Sequence, residues 1–303
     1  MTVMLARPTV TALVTGLVDY AGLFPPAGLD MVTAVDHYAR YRSDSSERML
    51  GRFVVPVNRL DEFRAAAEGH LPTRPDGAPW RLAALLGGDV VTDLAGIARA
   101  NVAYSRPTTG RLVVDVLEVK ATTVAAVDVV ARAIPPGFEV YVEVPLSPDP
   151  TPLLDALAAR RLHAKVRTGG VTADAIPSAG DIATFLVAVA RAGVAFKATA
   201  GLHHAIRGRY SLTYAADSPT AVMHGFVNVF IAAALAHVGA PVADLIAALE
   251  ETEPSAFRFA EADVRWRAHS LTVKQLQDTR SRFARSFGSC SFHEPAAEIG
   301  AWQ

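Results

Sequence analysis

Two lysines are the residues of this chain best placed to do chemistry. Lys165 lies in L-H-A-K-V-R-T-G-G and Lys197 in V-A-F-K-A-T-A-G-L-H-H, each in the middle of a short apolar run that ends in glycine. Side chains on a strand alternate between faces. His163, Lys165 and Arg167 therefore share one face against Ala164 and Val166, and Lys197 and Thr199 share one against Phe196 and Ala198. A lysine on the inner face of a buried strand is stripped of water and calls for a partner or a purpose. The 303-residue chain has only four lysines, Lys120, Lys165, Lys197 and Lys274, among 29 Lys and Arg, and three of the four fall in or at the end of expected strands. Lysine is thus kept where an amine with a tunable pKa is of use. Two lysines on neighbouring strands repel, and repulsion with burial moves an amine down from about 10.4 toward neutrality. A neutral amine can add to a carbonyl carbon and form a Schiff base, while a charged neighbour keeps it unprotonated. Glu143, on the preceding strand, is placed to move protons or to hold the charged lysine.

The elements that must position these residues alternate along the chain. Short β-rich runs occur at Val18-Asp19-Tyr20, R-F-V-V-P-V, R-L-A-A-L-L-G-G, R-L-V-V-D-V-L-E-V-K and F-E-V-Y-V-E-V-P, followed by the two lysine runs, with a helical pattern between each pair. Strand, helix, strand in this order means a parallel sheet. Seven such units favour a closed (β/α)8 TIM-type barrel, α/β in class, over a doubly wound sheet. No G-x-G-x-x-G follows the first strand, which argues against a dinucleotide site. The reading is a single barrel domain over residues 1–303, with residues 203–303 holding an insertion after strand seven, the eighth strand and a C-terminal extension. Helices are expected over about 219–237, Val242–Glu250 and 272–285. A-F-R-F-A-E-A-D-V-R-W-R-A reads either as the eighth strand or as a hairpin outside the barrel.

Active sites of such barrels sit at the C-terminal ends of the strands. The polar residues expected there are Asp19, Glu118, Lys120, Glu143, Lys165, Arg167, Lys197, His203 and His204. Glu118 and Lys120 share a face, and their simpler reading is a structural ion pair. Gly169-Gly170 can present N–H groups to an anion, and the turn G-L-F-P-P-A-G after Tyr20 reads as a pocket wall. His203 and His204 point apart on an extended chain and do not chelate together, so no metal is expected; either can serve in acid–base or substrate contact. Cys290, in S-C-S, reads as a buried or lid thiol.

Three of these runs resemble a known family. F-E-V-Y-V-E-V-P at Glu143, K-V-R-T-G at Lys165 and K-A-T-A-G at Lys197 and Gly201 are similar to the runs on strands five, six and seven of deoxyribose-phosphate aldolases, class I aldolases with a (β/α)8 fold. The resemblance covers about residues 138–202. It implies a Schiff-base role for Lys165, the second-lysine role for Lys197 and a proton-handling role for Glu143. It departs at Ala200, where the family has the first glycine of a phosphate-binding pair, and at Arg167, where it has a small serine. A guanidinium suits bidentate recognition of a carboxylate. The expected substrate is therefore a small carboxylated carbonyl compound, contacted by Arg167, Thr168, Gly169, Gly170, Thr199, Gly201, His203, His204, Asp19 and Glu118.

Composition narrows the class. A formal charge of −1 and a pI of about 6.8 provide no basic field for nucleic acid or anionic lipid. A hydrophobic share of 51% and a mean hydropathy of +0.24 imply a large core and leave room for a homo-oligomer. One cysteine excludes an intrachain disulfide and fits a reducing compartment. The N-terminus lacks the pattern of a secretory signal, so a cytoplasmic location is expected. The most apolar stretch, residues 225–246, is broken by Asn228, His237, Pro241 and Asp244 and reads as a buried helix pair, not a membrane span. These features lead to a cofactor-free lysine-imine lyase of the aldol type. The alternatives are an isomerase or dehydratase using lysine as acid and base, and a barrel that binds a small ligand without catalysis.

Overall fold

The computed structural model describes residues 7–302 except 75, 107, 109 and 148. Helix α1 (Pro8–Val14) precedes β1 (Val18–Tyr20), α2 (Met31–Tyr41), β2 (Leu50–Pro56), α3 (Leu60–Ala67), β3 (Trp80–Leu85) and α4 (Val90–Ala103). There follow β4 (Leu112–Lys120), α5 (Val124–Ala133), β5 (Glu139–Glu143), α6 (Thr151–Arg160), β6 (His163–Arg167), α7 (Ala179–Ala192) and β7 (Phe196–Thr199). These seven strands and one far downstream, the last of the chain, close a parallel eight-stranded barrel wrapped by the helices: the α/β (β/α)8 TIM-type fold.

The excursion between strands seven and eight of the barrel carries β8 (Gly208–Ser211), β9 (Thr220–Met223), α8 (Phe226–His237), α9 (Val242–Glu250), β10 (Arg258–Phe259), β11 (Asp263–Trp266), β12 (His269–Thr272) and α10 (Val273–Arg282). The eighth barrel strand is β13 (Ala284–Ser289), followed by α11 (His293–Ile299) and a short turn of 3-10 helix over Gly300–Trp302. The A-F-R-F-A-E-A-D-V-R-W-R-A segment forms β10 and β11 of a separate antiparallel sheet, the second of its two readings. Two boundaries differ from expectation. Residues 220–223 are strand and pair with β8, so the apolar helix begins only at Phe226; α10 ends at Arg282, because the chain turns there into β13. The apolar stretch does form a buried helix pair, with every α8 residue from Phe226 to Ala236 buried.

Strand parity decides which side chains face the barrel axis. Val140 and Val142 of β5, Ala164 and Val166 of β6, and Phe196 and Ala198 of β7 join the large core between sheet and helices. Their neighbours Tyr141, Glu143, Lys165 and Lys197 must then point inward. A small separate cluster of Val54, Ala83, Val116 and Tyr141 fills part of the barrel interior. β4 would defeat this arrangement if it were regular, since Leu112 and Val114 face the helices and even-numbered residues would continue to do so. Its pairing with β3 shifts between Leu82 and Ala83, where Asp115 is the extra residue. Beyond that bulge the faces swap: Leu117 and Val119 pack on the helices, Val116 on the interior. The bulge is what aims Glu118 at the axis.

Candidate active site

The inward side chains form a line of alternating charge. Asp19 Oδ1 accepts the Arg52 backbone N–H (2.8 Å), while Oδ2 accepts Lys197 Nζ (2.7 Å) and Ser286 Oγ (2.8 Å). Lys197 Nζ also meets Glu118 Oε1 at 2.5 Å and lies 5.6 Å from the centre of the Tyr141 ring. The other Glu118 oxygen takes Lys165 Nζ at 3.0 Å, and Lys165 reaches Glu143 Oε2 at 2.9 Å. Parallel register sets Lys165 beside Lys197 and Glu143 beside Lys165. Asp19, Glu118, Lys165 and Lys197 are all buried; Glu143 is half-buried.

Neutralisation, more than repulsion, governs this interior. Burial alone would lower the Lys197 pKa, but the Asp19 and Glu118 carboxylates outweigh it and hold the amine charged, above the ordinary lysine value. Burial would likewise raise Asp19 and Glu118; the lysine charges (with Arg52 at Asp19) overcome it and keep both carboxyls below their usual range. Glu118 bridges the two lysines, so the repulsion expected between them is offset by a shared carboxylate. The expected Glu118–Lys120 pair does not form. Glu118 is used by Lys165 and Lys197, and Lys120 stands exposed at the strand tip.

Above this floor lies a cavity of about 360 Å³ at the C-terminal ends of the strands. Lys165, Glu118 and Glu143 form its charged base; Arg167 and Lys120 stand at its mouth; Gly170, Thr199, Gly201 and His203 line one side. Phe24, Pro25 and Pro26 supply the apolar wall read from the G-L-F-P-P-A-G turn. Lys165 and Arg167 thus share one pocket. Lys197 and Asp19 point inward as expected but sit beneath the cavity and do not line it. Two other expected contacts are structural. Thr168 is buried and donates to the Ala200 carbonyl (2.7 Å), and Gly169 packs on Gly201 so closely that a Cβ there would lie 2.9 Å from the Gly201 Cα. His204 faces away from the cavity, bound to Glu298 at 2.6 Å and stacked on Tyr210, because adjacent residues on extended chain point apart. A more open cavity of about 460 Å³ lies at the opposite end, but its arginines are engaged with Asp115, Glu139 and backbone carbonyls.

Three contributors have no signal in the sequence: Ser286 and Tyr141 touch the buried ions, and Gly288 lines the cavity from β13. Cys290, read as a buried or lid thiol, follows that strand and lines the cavity as well. At the rim, His203 Nδ1 lies 3.4 Å from Glu294 Oε2, 3.5 Å from Ser289 Oγ and 3.9 Å from Cys290 Sγ. Tyr214, on the β8–β9 connection, reaches Glu294 Oε2 at 3.0 Å and Cys290 Sγ at 3.7 Å. Burial would depress the His203 pKa, but hydrogen bonds to Cys290 and Glu294 outweigh it and raise it to about 9. Those from His203 and Tyr214 hold Glu294 low against its own burial. In comparisons with known proteins, no family model and no curated sequence matched this chain.

Proposed function

We propose that the protein is a cofactor-free lyase of the aldol or retro-aldol type that acts on a small carboxylated carbonyl compound through an imine on Lys165. The observation that carries this reading is the inequality of the two lysines. Lys197 is saturated by two carboxylates beneath the floor, whereas Lys165 opens on the cavity beside Glu143, the least buried carboxylate of the line. In the cleavage direction the Lys165 ammonium passes a proton to Glu143 and its nitrogen adds to the substrate carbonyl carbon, whose oxygen leaves as water. The electrons of the adjoining carbon–carbon bond then move to the iminium, while the hydroxyl on the departing carbon loses its proton and leaves as a carbonyl. Protonation and hydrolysis of the remaining enamine release the second product and free Lys165. Glu143, which also lines the adjoining opening, returns protons to the product. Charged Lys197, held between Asp19 and Glu118, takes no part in bond making. Arg167 and Lys120 give the mouth two cations that suit a substrate carboxylate, with Arg167 able to bind it bidentately.

The two carboxylates on Lys165 also support a second reading, in which the ammonium is an acid and Glu143 a base for an isomerisation or dehydration without an imine. Native mass spectrometry with a panel of 2-oxo acids and aldehydes, with and without borohydride, separates the two. The imine reading predicts a mass gain of substrate less water that reduction makes permanent. Turnover of a panel member with no reducible adduct supports the acid–base reading and sinks the first.

A further inference from the structure

The cluster at the rim is unused by this chemistry, and its composition is that of an activated thiol. Cys290 is the only cysteine of the chain; it is buried from bulk solvent yet lines the cavity that holds Lys165 and Arg167. Its sulfur has a basic imidazole at 3.9 Å and a phenol at 3.7 Å, and both partners are tied to Glu294. Three separate parts of the chain meet here: the turn after β7, the β8–β9 connection and the start of α11. A merely space-filling cysteine packs among apolar side chains, whereas a reactive one sits by a histidine in a polar, partly accessible setting.

We propose that Cys290 is a second nucleophile of the pocket, with His203 as its base and Glu294 as the group that positions His203, directed at small carboxylates that carry an electrophilic carbon. The sulfur attacks that carbon, a sulfur–carbon bond forms, and the leaving group departs with its electron pair. The thiol proton passes to His203 Nδ1, where Glu294 partners the imidazolium. The raised proton affinity of His203 supports this direction of transfer. Arg167 and Lys120, at the mouth of the same cavity, would draw in the carboxylate end of such a molecule. The proposal does not rest on the imine, since one concerns the Cys290 sulfur and the other the Lys165 nitrogen.

The test is alkylation of the intact native protein by iodoacetate and by iodoacetamide, followed by mass; with a single cysteine, any adduct on sulfur is on Cys290. Iodoacetate replaces its iodide and adds one carboxymethyl group. The expected result is labelling of the native protein, with iodoacetate favoured over iodoacetamide relative to free cysteine. His203→Gln should slow both reagents at least about ten-fold, as loss of a general base does. Glu294→Gln, which keeps the imidazole, should slow both several-fold. Arg167→Gln should lower the iodoacetate rate alone. Variants are compared after circular dichroism shows native secondary structure, and Glu294→Gln decides the matter if His203→Gln does not fold. Labelling only after denaturation would overturn the proposal, as would equal rates in the wild type and in whichever of these two variants folds.

Discussion

The floor and the rim of this pocket are both built from ionisable side chains and behave in opposite ways. On the floor, Asp19 and Lys197 are sealed below the cavity and Glu118 forms its base, and each of these charges has an opposite charge within 2.7 Å. At the rim, Arg167 and Lys120 are exposed, and His203 shares Glu294 with Tyr214 at longer range. The floor holds its ionisation states against burial; the rim has groups left over for a ligand. Lys165 stands on the boundary, paired like the floor and accessible like the rim. A buried ion pair is weak evidence for net stability, yet removing one partner is costly because a bare charge remains. The contrast between the two lysines is therefore open to measurement.

The largest difference should come from deleting each lysine. Lys197→Met leaves the buried Asp19 without its ion-pair partner and Glu118 with Lys165 alone, and should cost about 3–5 kcal/mol in urea unfolding. Lys165→Met leaves Glu118 with Lys197 and Glu143 beside the cavity, where water can reach it, and should cost about 1–2 kcal/mol. Equal losses would erase the distinction between floor and rim.

The rim histidine gives a pH signature. His203 has a higher pKa in the fold, about 9, than the ordinary 6.5, so the folded state binds the proton more tightly. Its stabilisation is fully present below pH 6.5 and is lost as pH rises through 9, with each unit of displacement corresponding to about 1.4 kcal/mol at most. The floor carboxyls have the opposite sign. Asp19 and Glu118 are depressed, so their contribution is present above the ordinary carboxylate range and lost only as pH falls below it. Tm against pH for wild type and His203→Gln should diverge below pH 9 and converge above it; parallel curves would place the His203 contacts among the energetically idle.

Arg167→Lys should leave stability within about 0.5 kcal/mol, as surface changes do. It should raise KM about ten-fold with kcat nearly unchanged, since one ammonium does not reproduce a two-pronged carboxylate contact. An unchanged KM would remove Arg167 from the binding site. The smallest effect concerns the tip of β7, where Ala200 has a φ of 63° in the left-handed region and is followed by Gly201 at 77°. Ala200→Gly should stabilise by about 0.5–1 kcal/mol by relieving that strain, as read from the urea midpoint. Gly201→Ala would meet the Gly169 backbone at 2.8 Å and should destabilise.

Much of the scaffold was legible in the sequence because parity is local. Alternation alone sets Lys165, Lys197 and Glu143 on the inner face, and the βαβ rhythm yields the barrel. The eighth strand was not legible for a physical reason. Ala284–Ser289 reads A-R-S-F-G-S, poor in the β-branched residues that mark strands, whereas D-V-R-W alternates well and belongs to an outlying sheet. Pairings across the barrel were equally hidden: Asp19 and Lys197 lie 178 positions apart, and Cys290 and His203 lie 87 apart. Glu118 shows a further limit. Its inward face depends on a bulge at Asp115 that nothing in L-V-V-D-V-L-E-V-K announces.

The central claim, that Lys165 and not Lys197 is the amine that bonds to substrate, is tested most directly by borohydride reduction in the presence of a turned-over 2-oxo acid or aldehyde, followed by peptide mapping. The account predicts one adduct, on Lys165, with irreversible loss of activity. An adduct on Lys197 would mean that the sealed lysine is the reactive one and would contradict the division between floor and rim. No adduct on either lysine, with a substrate that is consumed, would contradict the imine itself.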